Sequence, residues 1–281
     1  MTNNMTVNQR IRLLREEMFK HQISACIIAN SDPHLSEYIA DYWKEREWIS
    51  GFTGSNGIVV LTQNDMSLWT DSRYKLQAEQ QLKELDADIF ITTNFASMAD
   101  WLQNKLNKDN LNIAIRADVF SVNAIYEIKK EFSNRGLNLC FENLINTIWK
   151  NRPEIPSKEL FLLDEKFSGK SVQNKLVDIR KEMVKTNADV FLITALDEIA
   201  WTFNIRGYDI QYNPLVISYA AIENENCTLF LNRNKLNSQV EKYLQSQGVY
   251  IQDYEAINSY VERMPKTKKI LIDSAKINFN L

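Results

Sequence analysis

Residues 48–73, WISGFTGSNGIVVLTQNDMSLWTDSR, decide how the rest of the chain is read. Gly51, Gly54 and Gly57 recur at every third position in a chain that has only seven glycines. Directly behind them Ile58, Val59, Val60 and Leu61 form a short apolar, β-branched run, the pattern of a buried strand. Gln63, Asn64 and Asp65 supply turn chemistry, and Met66 to Trp69 begin a second strand. Thr70 or Asp71 is placed to cap a helix that starts near Ser72 and runs to about Leu85. The stretch therefore reads as glycine loop, hairpin and capped helix, with Arg73 in the first helical turn. An arginine there faces the positive end of the helix dipole, a mild local conflict. Two readings account for it: a local pair with Asp71 or a solvated side chain, and a guanidinium held out to bind a carboxylate or carbonyl.

Working outward, residues 8–21 form an amphipathic helix, with Ile11, Leu14 and Met18 at helical spacing and Arg12, Arg15, Glu16 and Lys20 outside. Ala25 to Ala29 is a buried strand, Asn30 to His34 a loop, and Leu35 to Tyr38 open a helix. After the hairpin come a strand at 88–92, a helix at 97–106, a strand at 112–116, a helix at 121–133 and a strand at 138–141. Strand and helix alternate, which specifies an α/β class with sheets flanked by helices. Pro153 and Pro156, two of the chain's five prolines, stiffen a linker at 151–157. The pattern then restarts: helix 174–185, strand 189–194, a helix from Leu196, a hairpin of 215–222 with 227–231, helix 235–247, a strand stub at 250–251, helix 256–264 and strand 269–273. Arg15-Glu16-Glu17-Met18 and Arg180-Lys181-Glu182-Met183 lie 165 residues apart, and the same offset places Ile28 on Ile193, Asp32 on Asp197 and Tyr38 on Phe203. A long-period repeat of this kind means two copies of one domain, with expected bounds 1–152 and 153–281.

Composition excludes several classes. The 281 residues are 44% hydrophobic and 25% charged, with a net charge of −3 and a pI of about 5.6, so there is no basic footprint for nucleic acid. Residues 1–7 are polar and uncharged, and no apolar run of about 18 residues occurs, which argues against a leader or a membrane span. Cys26, Cys140 and Cys227 are far apart and read as thiols in a reducing compartment. Of the two histidines, His21 ends a helix as a surface residue, and His34 alone lies near other candidate groups, in the Asp32-Pro33-His34 loop. No HExxH, CxxC or HxH motif occurs, so no zinc site is read, and the acids Asp32, Glu37, Asp41, Asp71, Asp197 and Glu198 are single carboxylates at loop–helix junctions, the usual place of caps. No GxSxG or Walker loop is present, and a strand follows the three glycines, against a dinucleotide site. The residues thus give two related α/β domains without an assembled catalytic set. The end of the chain, 270–281, reads as a strand and the opening of a helix that stops, the pattern of a fragment.

Four motifs carry a resemblance: SDPHLSEYIA at 31–40, SGFTGSNG at 50–57, WTDSRY at 69–74, and LDEIAW at 196–201 with NIRG at 204–207. Together they resemble the two creatinase-like N-terminal domains of the three-domain, cytosolic Xaa-Pro aminopeptidases. The resemblance implies duplicated creatinase-N-terminal-like (ribonuclease-H-like) domains, each a mixed sheet flanked by helices. It implies a parent metallopeptidase that removes an N-terminal residue preceding proline, a cytoplasmic homodimer that acts on short peptides with proline second. Two manganese ions would sit in a catalytic pita-bread domain following Leu281 and absent here. No metal ligand and no catalytic residue carries over to this chain. Arg73 matches the arginine of the family's WTDxR motif, which implies that it is held over the catalytic cleft to meet a peptide. Asp32, His34 and Glu37 match the DxHxSEY loop, which the resemblance implies fixes local structure near the cleft, with Asp32 and His34 as candidate substrate-binding residues, and Asp197, Glu198 and Trp201 match residues that pack the second domain. A catalytically inactive peptide- or histone-binding module of the same lineage stands as the alternative. A creatine-type amidinohydrolase carries only one such domain, and the duplication argues against it.

Overall fold

The computed structural model describes residues 5–106 and 111–281, which leaves the first four residues of the polar N-terminal stretch outside the described part. Helix α1 (Val7–Lys20) starts at Thr6, whose hydroxyl accepts from Gln9 N while the Gln9 side chain accepts from Thr6 N, a reciprocal capping box. It buries the expected Ile11, Leu14 and Met18. Then follow β1 (Ala25–Ala29), α2 (Glu45–Ser50), β2 (Ile58–Thr62), β3 (Met66–Trp69), α3 (Lys75–Gln81), β4 (Asp88–Phe90), α4 (Phe95–Lys105), β5 (Asn112–Ile115), α5 (Val122–Ser133), β6 (Asn138–Phe141) and α6 (Ile145–Ile148). The strands form one sheet in the order β4-β3-β2-β1-β5-β6. The hairpin β2–β3 and the pair β1–β2 are antiparallel, whereas β3–β4, β1–β5 and β5–β6 are parallel. Leu14, Met18, Val59, Leu61 and Leu68 are fully enclosed in its core.

The second half holds β7 (Phe161–Leu162), α7 (Glu165–Ser168), α8 (Val172–Thr186), β8 (Val190–Ile193), α9 (Leu196–Phe203), β9 (Ile205–Arg206), β10 (Ser218–Glu223), β11 (Cys227–Leu231), α10 (Ser238–Ser246), β12 (Tyr250–Gln252), α11 (Ala256–Glu262) and β13 (Ile270–Leu271). Its main sheet runs β12-β11-β10-β8-β13, and β7 pairs with β9 apart from it. The pairs β8–β10 and β10–β11 are antiparallel, β11–β12 and β8–β13 parallel. This is the order and direction of the first five strands of the first sheet. The repetition extends to side chains. Arg15 Nε donates to Thr62 O at 3.0 Å and its Nη2 to Asp65 O at 3.3 Å, across the turn between β2 and β3. Arg180 Nε donates to Glu223 O at 2.9 Å and its Nη2 to Asn226 O at 3.1 Å, across the turn between β10 and β11.

The chain divides into two compact units, with a break at Glu154–Ile155. Residues Pro33–Ala40 group with the second unit although they follow β1 of the first. Among the described residues no helix is long and apolar enough to cross a membrane.

Some expectations fail. Leu35 to Tyr38 open no helix: Pro33 and His34 form a turn, and Leu35 lies at φ 55°, the left-handed region that no α-helix tolerates. At the offset of 165 residues Leu35 falls on Ala200, which lies inside α9. The helix expected from Ser72 to about Leu85 is a 3-10 turn, Ser72–Tyr74, followed by α3, which stops at Gln81. After β13 the chain makes turns and not the opening of a helix.

Candidate functional site

The site in the first unit grows from the end of α2. Gly51 leaves that helix at φ 73°, a conformation that a Cβ would strain. Beneath the loop lies Arg46, which is 1% exposed; its Nη2 donates to Gly54 O, and its guanidinium sits 4.7 Å above the Phe52 ring. Burial pulls the Arg46 pKa down to about 10. Gly54 packs so closely that a Cβ would come within 2.5 Å of the Phe52 ring and 2.8 Å of the Tyr74 ring. The loop then turns into β2, and the register Ile58↔Trp69, continued two residues outward, sets Asn56 opposite Asp71.

Asp71 is where these elements meet. Its Oδ1 accepts from Arg73 N at 3.0 Å, capping the 3-10 turn, and from Arg73 Nε at 2.9 Å. Its Oδ2 accepts from Arg73 Nη2 at 2.8 Å and from Asn56 Nδ2 at 2.7 Å. Asn56 O in turn accepts from the buried Thr70 hydroxyl at 2.7 Å. The Arg73 bonds first, and that of Asn56 next, hold the Asp71 carboxyl well below the usual carboxylate range. The Arg73 side chain is 67% exposed against 30% for Asp71, so the carboxylate lies in the surface and the guanidinium projects from it. Ser55 and Tyr74 share a hydroxyl contact at 2.7 Å at the same corner. The local pair with Asp71 weighed from the sequence is therefore present, and it engages two guanidinium nitrogens of an arginine that stays exposed. A guanidinium has five N–H donors in a planar fork, suited to a carboxylate or a carbonyl.

His34 belongs to the second unit, as part of Pro33–Ala40. It is 2% exposed; Nδ1 lies 2.8 Å from Thr194 O, and Nε2 2.9 Å from the Tyr254 hydroxyl. A carbonyl only accepts, so Nδ1 carries the proton, and in the neutral ring Nε2 accepts from Tyr254. The ring packs against Tyr219, with centroids 4.4 Å apart. Asn278 Nδ2 donates to Pro33 O at 2.8 Å, and the Thr194 hydroxyl to Lys276 O at 2.7 Å, closing the same cluster. Asp32, by contrast, groups with the first unit and is fully buried. Glu37 is exposed, and Asp41 pairs with Lys44 at 2.6 Å. Asp197 and Glu198 stand in the first turn of α9, and Glu198 pairs with Lys276. Trp201 is half-exposed, with the Lys175 ammonium 4.4 Å over its ring.

Several groups escaped the sequence reading. Asn56 looked like a loop residue, although the hairpin register was enough to set it opposite Asp71. Arg46, Lys175 and the Lys235–Asp209 pair, the last at 2.5 Å and 1% exposed on both sides, look in sequence like solvated charge. Among the described residues no group of three or more His, Cys, Asp or Glu side chains could hold a metal ion. The dinuclear metal chemistry implied by the resemblance has no fit in these residues.

Two family models, each described as a creatinase/prolidase N-terminal domain, match residues 10–148 and 151–281. The chain belongs to the creatinase/prolidase N-terminal domain family. It carries two copies of that domain, and nearly the whole chain is accounted for by them. Xaa-Pro aminopeptidase 1 of Dictyostelium discoideum is 38% identical over 96% of this chain and 44% of its own length. A probable Xaa-Pro aminopeptidase P of Neurospora crassa is 35% identical over 97% of the chain and 41% of its length. Xaa-Pro aminopeptidase 2 of Mus musculus is 35% identical over 92% and 40%. The crystal structure of X-prolyl aminopeptidase from Caenorhabditis elegans, described as a cytosolic enzyme with a di-nuclear active site, superposes with a TM-score of 0.89. It is 26% identical, over 98% of this chain and 48% of that one. This pair of creatinase/prolidase N-terminal domains thus spans less than half the length of the relatives it matches.

Proposed function

We propose that the chain is the non-catalytic N-terminal region of a Xaa-Pro aminopeptidase and that it shapes the substrate cleft and the dimer of a dinuclear-metal peptidase. The full protein removes the N-terminal residue that precedes proline from short peptides in the cytoplasm. Its two divalent ions, manganese by family habit, belong to a C-terminal catalytic domain that is the first partner of this region. The bond before proline has no N–H, so a subsite that grips an extended strand is a poor match for it. A lidded pocket formed with N-terminal domains selects short chains by their ends instead.

One observation carries this reading: Arg73 is exposed yet held by both oxygens of Asp71, on a turn built from a motif resembling that of these peptidases. In this role Arg73 meets a peptide carbonyl or terminal carboxylate. His34 and Asp32 act on peptide binding by holding their loop, since both ring nitrogens of His34 are engaged within the fold. The experiment is Arg73→Ala in the full-length, metal-loaded peptidase. It is expected to lower kcat/KM for an Xaa-Pro peptide by about 1–3 kcal/mol. An unchanged kcat/KM returns Arg73 to a surface ion pair. The 281-residue chain alone is expected to show no Xaa-Pro cleavage with added manganese, and measured turnover would contradict the assignment.

A further inference from the structure

We propose that Asn56 is a positioning residue for peptide turnover: it fixes the Asp71 carboxylate and, through it, the orientation in which Arg73 meets the substrate. This rests on the reading of Arg73 as a peptide contact. An exposed ion pair two residues apart is by itself a weak constraint, because water competes for both groups and the long side chain retains its rotamers. Here the carboxylate is not left to choose its own rotamer. Asn56 Nδ2 reaches Asp71 Oδ2 at 2.7 Å, and the carboxylate accepts only, so the amide nitrogen must face it.

Asn56 is itself tied down. Its carbonyl accepts from Thr70, the preceding residue Ser55 has its carbonyl bound by Asn30 Nδ2 at 2.9 Å, and Gly54 O is held by buried Arg46. Rigidity therefore passes from a buried arginine through the glycine loop to Asn56, then to Asp71, and emerges at an exposed guanidinium. Catalytic and binding groups lose activity when their orientation loosens by about 1 Å, so a side chain that never touches the peptide still sets its turnover.

The test uses Asn56→Ala and the isosteric Asn56→Asp in the full-length, metal-loaded peptidase, with the Arg73 Nε–H resonance followed in this 281-residue chain. Asn56→Ala is expected to lower kcat/KM for an Xaa-Pro peptide by about 5- to 20-fold. In an Arg73→Ala background the same change should cost less than about twofold, since coupled positions are not additive. The Arg73 Nε–H signal should shift and exchange faster in Asn56→Ala, with the melting temperature preserved. Asn56→Asp sets two carboxylates against each other, so its deficit should be largest at high pH and shrink as the pair takes up a proton, a profile that Asn56→Ala lacks. An equal loss in the Arg73→Ala background, or an unmoved Arg73 resonance, overturns the positioning step. An Arg73→Ala enzyme with unchanged kcat/KM overturns the peptide-contact reading and this proposal with it, even where the resonance moves.

Discussion

Lys175 shows how far a single side chain departs from its sequence reading. In helix α8 it looks like solvated charge, yet it is fully buried and donates to Trp201 O at 2.6 Å and Asn204 Oδ1 at 2.5 Å. It thereby satisfies groups at the end of α9, where Asn204 sits in the left-handed cap position at φ 52°. Burial, with Arg206 next, lowers its pKa to about 8. The folded pKa lies below the unfolded one, so between pH 8 and about 10.4 the unfolded chain binds more protons, and stability rises with pH across that window. Below pH 8 the full penalty of the buried ammonium is present. Lys175→Met removes this titration but strands two acceptors, a cost of about 1–3 kcal/mol. The variant is expected to be less stable than the natural chain at pH 7, with the gap widening by about 1–2 kcal/mol towards pH 10. Urea melts at the two pH values check this, and a gap that narrows with pH refutes it. Burial of Lys175, like that of Arg46, depends on distant residues closing over it, which helical periodicity alone does not report.

Elements were more legible, wherever local chemistry and tertiary packing agree. The β2–β3 hairpin follows from a β-branched run, turn residues and a second apolar run. Helix α1 follows from its spacing, and Thr6 with Gln9 adds a capping-box start signal. The segment at Leu35 to Tyr38 was not legible, because one left-handed residue and the turn at Pro33 and His34 outweigh the propensity of the rest. The repeated arginine clamp is the strongest link between element and sequence. Arg15 and Arg180 each close the turn of their own hairpin through two carbonyls, so the offset seen in the helices is matched by chemistry in the strands. Arg15→Met and Arg180→Met are each expected to cost about 1–2 kcal/mol and to speed amide exchange at the turn that each one clamps. Equal protection at both turns in either variant argues that the clamps are surface ornaments of the repeat.

At the scale of the whole molecule, the duplication was readable as an order of elements, whereas the grouping of Pro33–Ala40 with the second unit was not. Each unit has its own enclosed core, and the break falls in the proline-bearing stretch near Glu154. A sequence reading assigns Pro33–Ala40 to the first copy because they follow its first strand. Packing assigns them to the second, and the reason is chemical: His34 finds there a carbonyl for Nδ1, a hydroxyl for Nε2 and two tyrosine faces. None of these partners is near in sequence, so no local pattern announces them. If this cluster is part of the second unit's core, His34→Ala leaves the Thr194 carbonyl and the Tyr254 hydroxyl short of a partner and opens a gap beside Tyr219. Lost hydrogen bonds and a buried void together are expected to cost about 2–4 kcal/mol. The loss should appear as faster amide exchange in β8 and β10, the strands that carry Thr194 and Tyr219 or adjoin them, measured in the complete chain. A segment 155–281 produced without residues 33–40 should show the same strands still less protected, because it lacks Pro33 and Leu35 as well as the imidazole. Strands that exchange equally in the complete chain, in His34→Ala and in that segment would mean that Pro33–Ala40 lie on the second unit without stabilising it.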